Sequence, residues 1–265
     1  MPADPPMSTP VDLSWDGPLA VVTLNAPPLN LFDRAMMSGL REAVSAVASS
    51  SAARGLLLQA TGRAVSAGVD VHLFAELDPG TGAALWREWF EVIHQLEDLP
   101  IPTVFAAHAL CLTAAFEVAL ACDLLVAAES ARFGLVEKVV GLTPSMGGPQ
   151  RLAERAGPAR ARELIYTGDL YGAATLERWN VVNRVLPDDG FASAAHALAR
   201  GLADGPTRAH AATKAIVRTA AQHGTRAADE VTPPISGALF GTADLAGAVA
   251  SFLTDGPGTA TYTGR

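Results

Sequence analysis

Lysine is almost missing from this chain: Lys138 and Lys214 stand against 17 arginines. With 27 acidic residues the net charge is −8 and the pI near 5.2. No basic stripe is there to follow a phosphate backbone, which excludes nucleic acid as the main partner. Cysteine is just as scarce. Cys111 and Cys122 have no metal-ligand spacing or disulfide framework around them, so no metal site is expected. Both read as reduced, buried thiols of a cytoplasmic protein. Long apolar runs are lacking too. The stretch from Val118 is interrupted at Asp123 and stopped at Glu129, short of the roughly 20 residues of a membrane-crossing helix, so no membrane partner is expected. The six histidines are scattered and pair with no serine or cysteine in a nucleophile-elbow pattern, which argues against Ser-His hydrolysis. Residues 1–10 are proline-rich without a basic residue, and read as a disordered tail and not as a presequence.

What the chain does have is apolar mass, 49% of 265 residues, enough for one large core with an appended subdomain. Val11–Trp15 and Leu19–Leu24 read as strands joined at the turn signal Asp16-Gly17-Pro18. Asp33 then caps a helix whose apolar positions are Met36, Met37, Leu40, Val44 and Val47. Gly55–Gln59, Thr103–Ala107 and Leu124–Ala127 have the continuous apolar character of strands buried on both faces. Between the first two, Gly82–Leu99 is an amphipathic helix with its aromatics in the core, ended by Pro100 and Pro102. Strand, loop and helix thus repeat, the pattern of an α/β layer fold with crossover connections. Beyond Gly157 the periodicity is helical at Pro158–Tyr166, Gly172–Trp179, Phe191–Leu202, Thr207–Gln222 and Ala238–Leu253, with one strand at Val181–Val185. This divides the chain into the tail at 1–10, an α/β core at 11–200 and a helical C-terminal subdomain at 201–265.

Glu117 is the residue that stands out. A helical glutamate is ordinarily solvated, but here the positions three and four away are Ala114, Thr113, Leu120 and Ala121. An apolar face makes ionisation costly and raises the carboxyl pKa toward the range of acid/base chemistry. The loop Thr61 to Asp70, built of small residues around Gly68, lets a ligand approach its backbone. Glu137, in a loop after Phe133, is the second carboxylate of interest. Gly147-Gly148 fits no phosphate-binding fingerprint and reads as a tight helix entry.

Several segments together resemble the enoyl-CoA hydratase/isomerase (crotonase) superfamily over nearly the full length. They are Val22-Thr-Leu-Asn25 with Asn30, the loop Gly62 to Val71, the stretch from Glu117 to Asp123, Phe133 to Glu137, Gly147-Gly148 with Arg151-Leu152, and Tyr262 to Arg265. The resemblance implies a crotonase-like α/β fold of repeated ββα units with a helical C-terminal region, assembled as a homotrimer or hexamer. It implies an acyl-CoA substrate that carries its own coenzyme A, with no separate cofactor. By match, the backbone N–H groups of Ala67 and Ala114 form an oxyanion hole for the thioester oxygen, and Ala64, Gly68, Val69, Asp70 and Val71 belong to the substrate-binding loop. Glu117 and Glu137 match the paired catalytic glutamates that add water across a 2-enoyl-CoA. A double-bond isomerase, needing one glutamate, and a silent acyl-CoA binder are the alternatives. Leu73, Phe74, Phe116 and Leu142 are candidates to line the acyl pocket. The chain departs from the family pattern at Thr113-Ala114-Ala115, where glycines are usual, and at His108-Ala109, where Asn-Gly is usual. A backbone N–H survives such a change, but a non-glycine at positive φ costs on the order of 1 kcal/mol.

Overall fold

The structure, a computed structural model, describes residues 9–265; the first eight residues of the expected tail lie outside it. Its strands are β1 (Val11–Asp16), β2 (Leu19–Leu24), β3 (Gly55–Ala60), β4 (Thr103–Ala107), β5 (Leu110–Leu112), β6 (Leu124–Ala128), β7 (Arg132–Gly134), β8 (Tyr171–Gly172) and β9 (Arg184–Leu186). The helices are α1 (Arg34–Ser49), α2 (Pro79–Asp98), α3 (Ala114–Ala121), α4 (Gly148–Ala156) and α5 (Pro158–Thr167). They continue as α6 (Ala173–Arg178), α7 (Phe191–Ala203), α8 (Thr207–His223), α9 (Thr225–Ala238) and α10 (Ala243–Asp255).

One sheet has the order β1-β2-β3-β4-β6-β9, and a second, smaller one the order β5-β7-β8. Only β1 runs antiparallel in the large sheet; the other pairings are parallel. The bridge between Ser66 and Cys111 adds the loop after β3 to the edge of the small sheet. Strands β3, β4 and β6 are therefore each followed by a short extended piece in the second layer and then by a helix: Ser66 and α2, β5 and α3, β7 and α4. This is the repeated ββα unit, and it returns each loop to the same region. The apolar runs of β2, β3, β4 and β6 are buried as their continuous hydrophobicity requires.

Local signals explain the helix starts. Asp33 Oδ1 accepts the N–H of Met36 at 2.7 Å, capping α1. At α2, Asp78 and Thr81 form a reciprocal capping box with Pro79 in the first turn, so this helix begins ahead of the expected Gly82. The last strand is displaced from Val181–Val185 to Arg184–Leu186, because the N–H groups of Val181 and Val182 both return to the Leu176 carbonyl at the end of α6. Helix α9 lies where no helix is legible, since it carries Pro233 and Pro234 in its interior. Helix α7 packs on β2, β3 and β4 and carries the core past residue 200 to Ala203, which lies so close to Gly55 that a Cβ there would meet the Ala203 methyl at 2.8 Å.

Candidate active site

Helix α3 is buried at all eight positions, Glu117 included. The Oε1 atom of Glu117 accepts two backbone N–H groups, from Met146 at 2.8 Å and Gly148 at 2.7 Å. Its carboxyl is thereby turned toward a cavity of about 110 Å³ that Glu117 lines together with Glu137, Val69, Thr113, Phe74 and Trp86. Glu137 opens a 3₁₀ turn after β7, ended at Gly141 with φ 73°, and its Oε2 is buried without a hydrogen-bond partner among the described residues. Burial pushes the Glu117 carboxyl up to about 7, against the pull of the two N–H donors and the charge of Arg151. Burial, and then the neighbouring charge of Glu117, pushes Glu137 up to about 8. The two therefore titrate as a coupled pair, each held toward its protonated form near neutral pH.

Both carboxyls are raised above their ordinary value of 4.5, so the native state favours their protonated forms. Their contribution to stability is full below about pH 4.5 and is lost as pH rises through about 7 to 8. Glu137→Gln removes the Glu137 share of that loss. Its melting temperature is expected to exceed that of the wild type at alkaline pH, by about 2–4 °C for each kcal/mol recovered, and to converge with it in acid, as calorimetry across pH will show.

The loop after β3 is pinned from behind. Asn30, fully buried at φ 47°, accepts the Ala26 N–H through Oδ1 and donates through Nδ2 to the carbonyls of Thr61, Ala64 and Val65. Ser66 Oγ donates to the Asn30 carbonyl and accepts the Gly68 N–H. Phe32 then bonds the Gly68 carbonyl and the Asp70 N–H, which turns the N–H of Val69 to the opposite side. This corrects the expected donor. The N–H of Ala67 is taken by the Leu29 carbonyl at 2.9 Å, whereas among the described hydrogen bonds Val69 donates to no protein acceptor. At the start of α3 the N–H of Ala114 is likewise without an acceptor, as expected of a first helical residue.

Thr113, which precedes it, sits at φ 47° and ψ −120°. For a β-branched residue this costs about 1–3 kcal/mol, the expected consequence of replacing a glycine. Its hydroxyl packs over Gly68, where a Cβ would lie 2.5 Å from Oγ1 and where φ is +110°. The two segments bearing the free N–H groups are therefore in contact.

Of the other loop residues, Val71 and Ala67 line the cavity, while Ala64 and Asp70 do not. Ala64 serves Asn30, and Asp70 caps the turn Val71–Phe74 by accepting the His72 N–H. The His72 ring, whose Nδ1 lies 2.7 Å from Asp70 Oδ1, and then the backbone bond hold the Asp70 carboxyl below its usual range. Among the apolar candidates, Phe74 and Leu142 line the cavity; Leu73 and Phe116 do not, Phe116 being wholly buried against Phe133 at 5.2 Å between ring centroids. Trp86 is the aromatic that core assignment missed: it faces the cavity while Trp89, packed edge-on to it, is in the core.

The model of the enoyl-CoA hydratase/isomerase family matches residues 16–253. The chain belongs to that family. A carnitinyl-CoA dehydratase of Salmonella enteritidis is 32% identical over 222 residues, covering 82% of this chain and 83% of that protein. A probable enoyl-CoA hydratase of Mycobacterium tuberculosis is 32% identical over 185 residues, 69% of this chain and 71% of that one. An enoyl-CoA hydratase subunit I from Geobacillus kaustophilus superposes with a TM-score of 0.90 at 30% identity, covering 97% of this chain and 98% of that one. The fold is thus the crotonase α/β fold with a helical C-terminal region, and the site just described lies within the part of the chain that the family model spans.

Proposed function

We propose that this crotonase-family protein adds water across the double bond of a 2-enoyl-CoA thioester. The observation that carries the reading is the pair of carboxyls lining one cavity, one oriented by two backbone donors, the other buried with an oxygen that has no partner among the described residues, and both raised by burial. Glu117 binds and activates the water that attacks C3. Glu137 delivers its proton to C2 on the same face, and the proton taken from water restores the pair. Charge develops meanwhile on the thioester oxygen, and the N–H groups of Val69 and Ala114 are the donors that receive it, one of them at a helix N-terminus. Phe74, Trp86 and Leu142 supply the apolar wall for the acyl chain. A trimer or hexamer formed through the C-terminal helices belongs to the same proposal, supported by the exposed Phe240, Phe252 and Leu253.

The test is turnover of crotonyl-CoA and of a longer 2-enoyl-CoA by the purified protein, followed as loss of the conjugated thioester absorbance with identification of a 3-hydroxyacyl-CoA product. A bell-shaped kcat/KM is expected with its maximum between about pH 7 and about 8. The acid limb reports protonation of Glu117 and the alkaline limb loss of the Glu137 proton. Binding of both thioesters without absorbance loss at any pH overturns the reading.

A further inference from the structure

The carboxyl of Glu117 is aimed by backbone, so whatever fixes that backbone shares in aiming it. The two donors belong to Met146 and Gly148, on either side of Gly147, which has φ +103° at the entry to α4. Among the described residues no side chain caps this entry. One turn later, Arg151 reaches back over it. Its Nε and Nη2 donate to Glu97 Oε1 and Oε2 at 2.6 and 2.5 Å, a two-pronged pairing to the last turn of α2. Nη1 reaches the Gly147 carbonyl at 3.4 Å, which also accepts the Arg151 backbone N–H at 3.2 Å. The guanidinium lies against the Gly147 α-carbon so closely that a Cβ there would be 1.7 Å from Nη1. The Arg151 side chain is 11% exposed, so the pair is held in a partly desolvated position where planar, two-pronged geometry is most constraining.

We propose that Arg151, locked by Glu97, is a positioning residue for Glu117: it fixes the Gly147 peptides so that the Met146 and Gly148 N–H groups hold one carboxylate oxygen and leave the other for water. The inference rests on the hydration reading for its kinetic consequence only. The geometry is independent of it. The charges arranged around Glu117 come from three elements. Glu137 faces it from the turn after β7, and Arg151 from α4, with Glu97 behind Arg151 on α2. Arg155, also on α4, is turned to the other end of α3, where it donates to the carbonyls of Leu120 and Cys122.

Two variants separate geometry from charge. Arg151→Met removes both, while Arg151→Lys keeps a positive charge but cannot form the fork. Infrared carboxylate difference spectra, each variant minus the same variant carrying Glu117→Gln, isolate the ionisation of Glu117 through a pH titration without any turnover. In Arg151→Met this ionisation is expected to rise on the order of one pH unit, and the acid limb of kcat/KM to move with it. In Arg151→Lys the ionisation stays near that of the wild type while kcat falls on the order of tenfold, with KM within about twofold. Glu97→Gln, which leaves the arginine unlocked but present, should resemble Arg151→Lys and serves if Arg151→Met fails to fold. Folded Arg151→Met or Glu97→Gln protein with wild-type kcat and an unmoved Glu117 ionisation overturns the proposal. If the wild type itself does not hydrate enoyl-CoA, the function falls, and the positioning role is read instead from the carboxylate stretching frequencies of Glu117 in the same difference spectra, which follow its hydrogen bonds to Met146 and Gly148: displaced in Arg151→Lys they support the role, and unmoved they overturn it.

Discussion

Glu117→Gln is expected to lower hydration of a 2-enoyl-CoA by about 10²–10⁴-fold with little change in thioester binding. The amide oxygen of a glutamine can still accept the Met146 and Gly148 N–H groups, so the α3 packing and the helix entry at Gly147 survive the change. What is lost is the second oxygen as a base. Glu137→Gln should be comparably severe for hydration, because its buried proton is the one delivered to C2. Steady-state rates and CoA-ester affinity of both variants check this. A pattern in which only Glu137→Gln is damaged, with migration of a double bond as the surviving reaction of the wild type, points to an isomerase instead. A protein that binds and never turns over is a silent binder.

Gly68→Ala carries the second large effect. Its φ of +110° disfavours any side chain, and the new methyl would sit 2.5 Å from the Thr113 hydroxyl, which is wedged against it. Relief requires the two segments to part, and they are the ones that carry the free N–H groups of Val69 and Ala114. Losing the alignment of one such donor typically costs about 10²–10³ in kcat. The double variant Gly68→Ala with Thr113→Gly removes the clash and the strained Thr113 backbone together, and should recover part of that loss. A double-mutant cycle on kcat measures the coupling. Additive losses would mean that the contact does not transmit the damage.

Much of this arrangement can be read from residue order, where the deciding forces are local. The hairpin at Asp16-Gly17-Pro18, the Asp33 cap and the buried strands follow from turn chemistry and apolar runs, and the structure has them. Glu117 is legible for the same reason: a carboxyl among alanines and leucines has nowhere to solvate. The donor in the β3 loop is not. Which of Ala67 and Val69 has its N–H free is decided by Leu29 and Phe32, distant in sequence, and nothing in Ser-Ala-Gly-Val-Asp distinguishes them. Trp86 and Trp89 look alike in a helical repeat, yet one meets the cavity and the other the core. Strands β5 and β7, three residues each, are too short to leave a periodic trace, although they form the layer from which α3 and Glu137 depart. The Glu97–Arg151 fork joins residues 54 apart, beyond any local signal.

The C-terminal helices have little interior of their own. Helix α8 contains no buried residue, α9 only Ala228 and α10 only Asp244. Polar ties hold them: Arg54 to Thr207 and the Gly205 carbonyl, Lys214 to Asp123, and Asp244 as acceptor of the Thr263 and Gly264 N–H groups. In a single chain such a segment opens at a lower free energy than the strands beneath it, as a cooperative unit of its own. In the isolated chain the amide protons of α8 to α10 therefore exchange with solvent while those of β2 to β4 remain protected, and the oligomer proposed above slows that exchange. Such an opening does not reach the chemistry, because the groups that hold Glu117 all lie between Glu97 and Arg151.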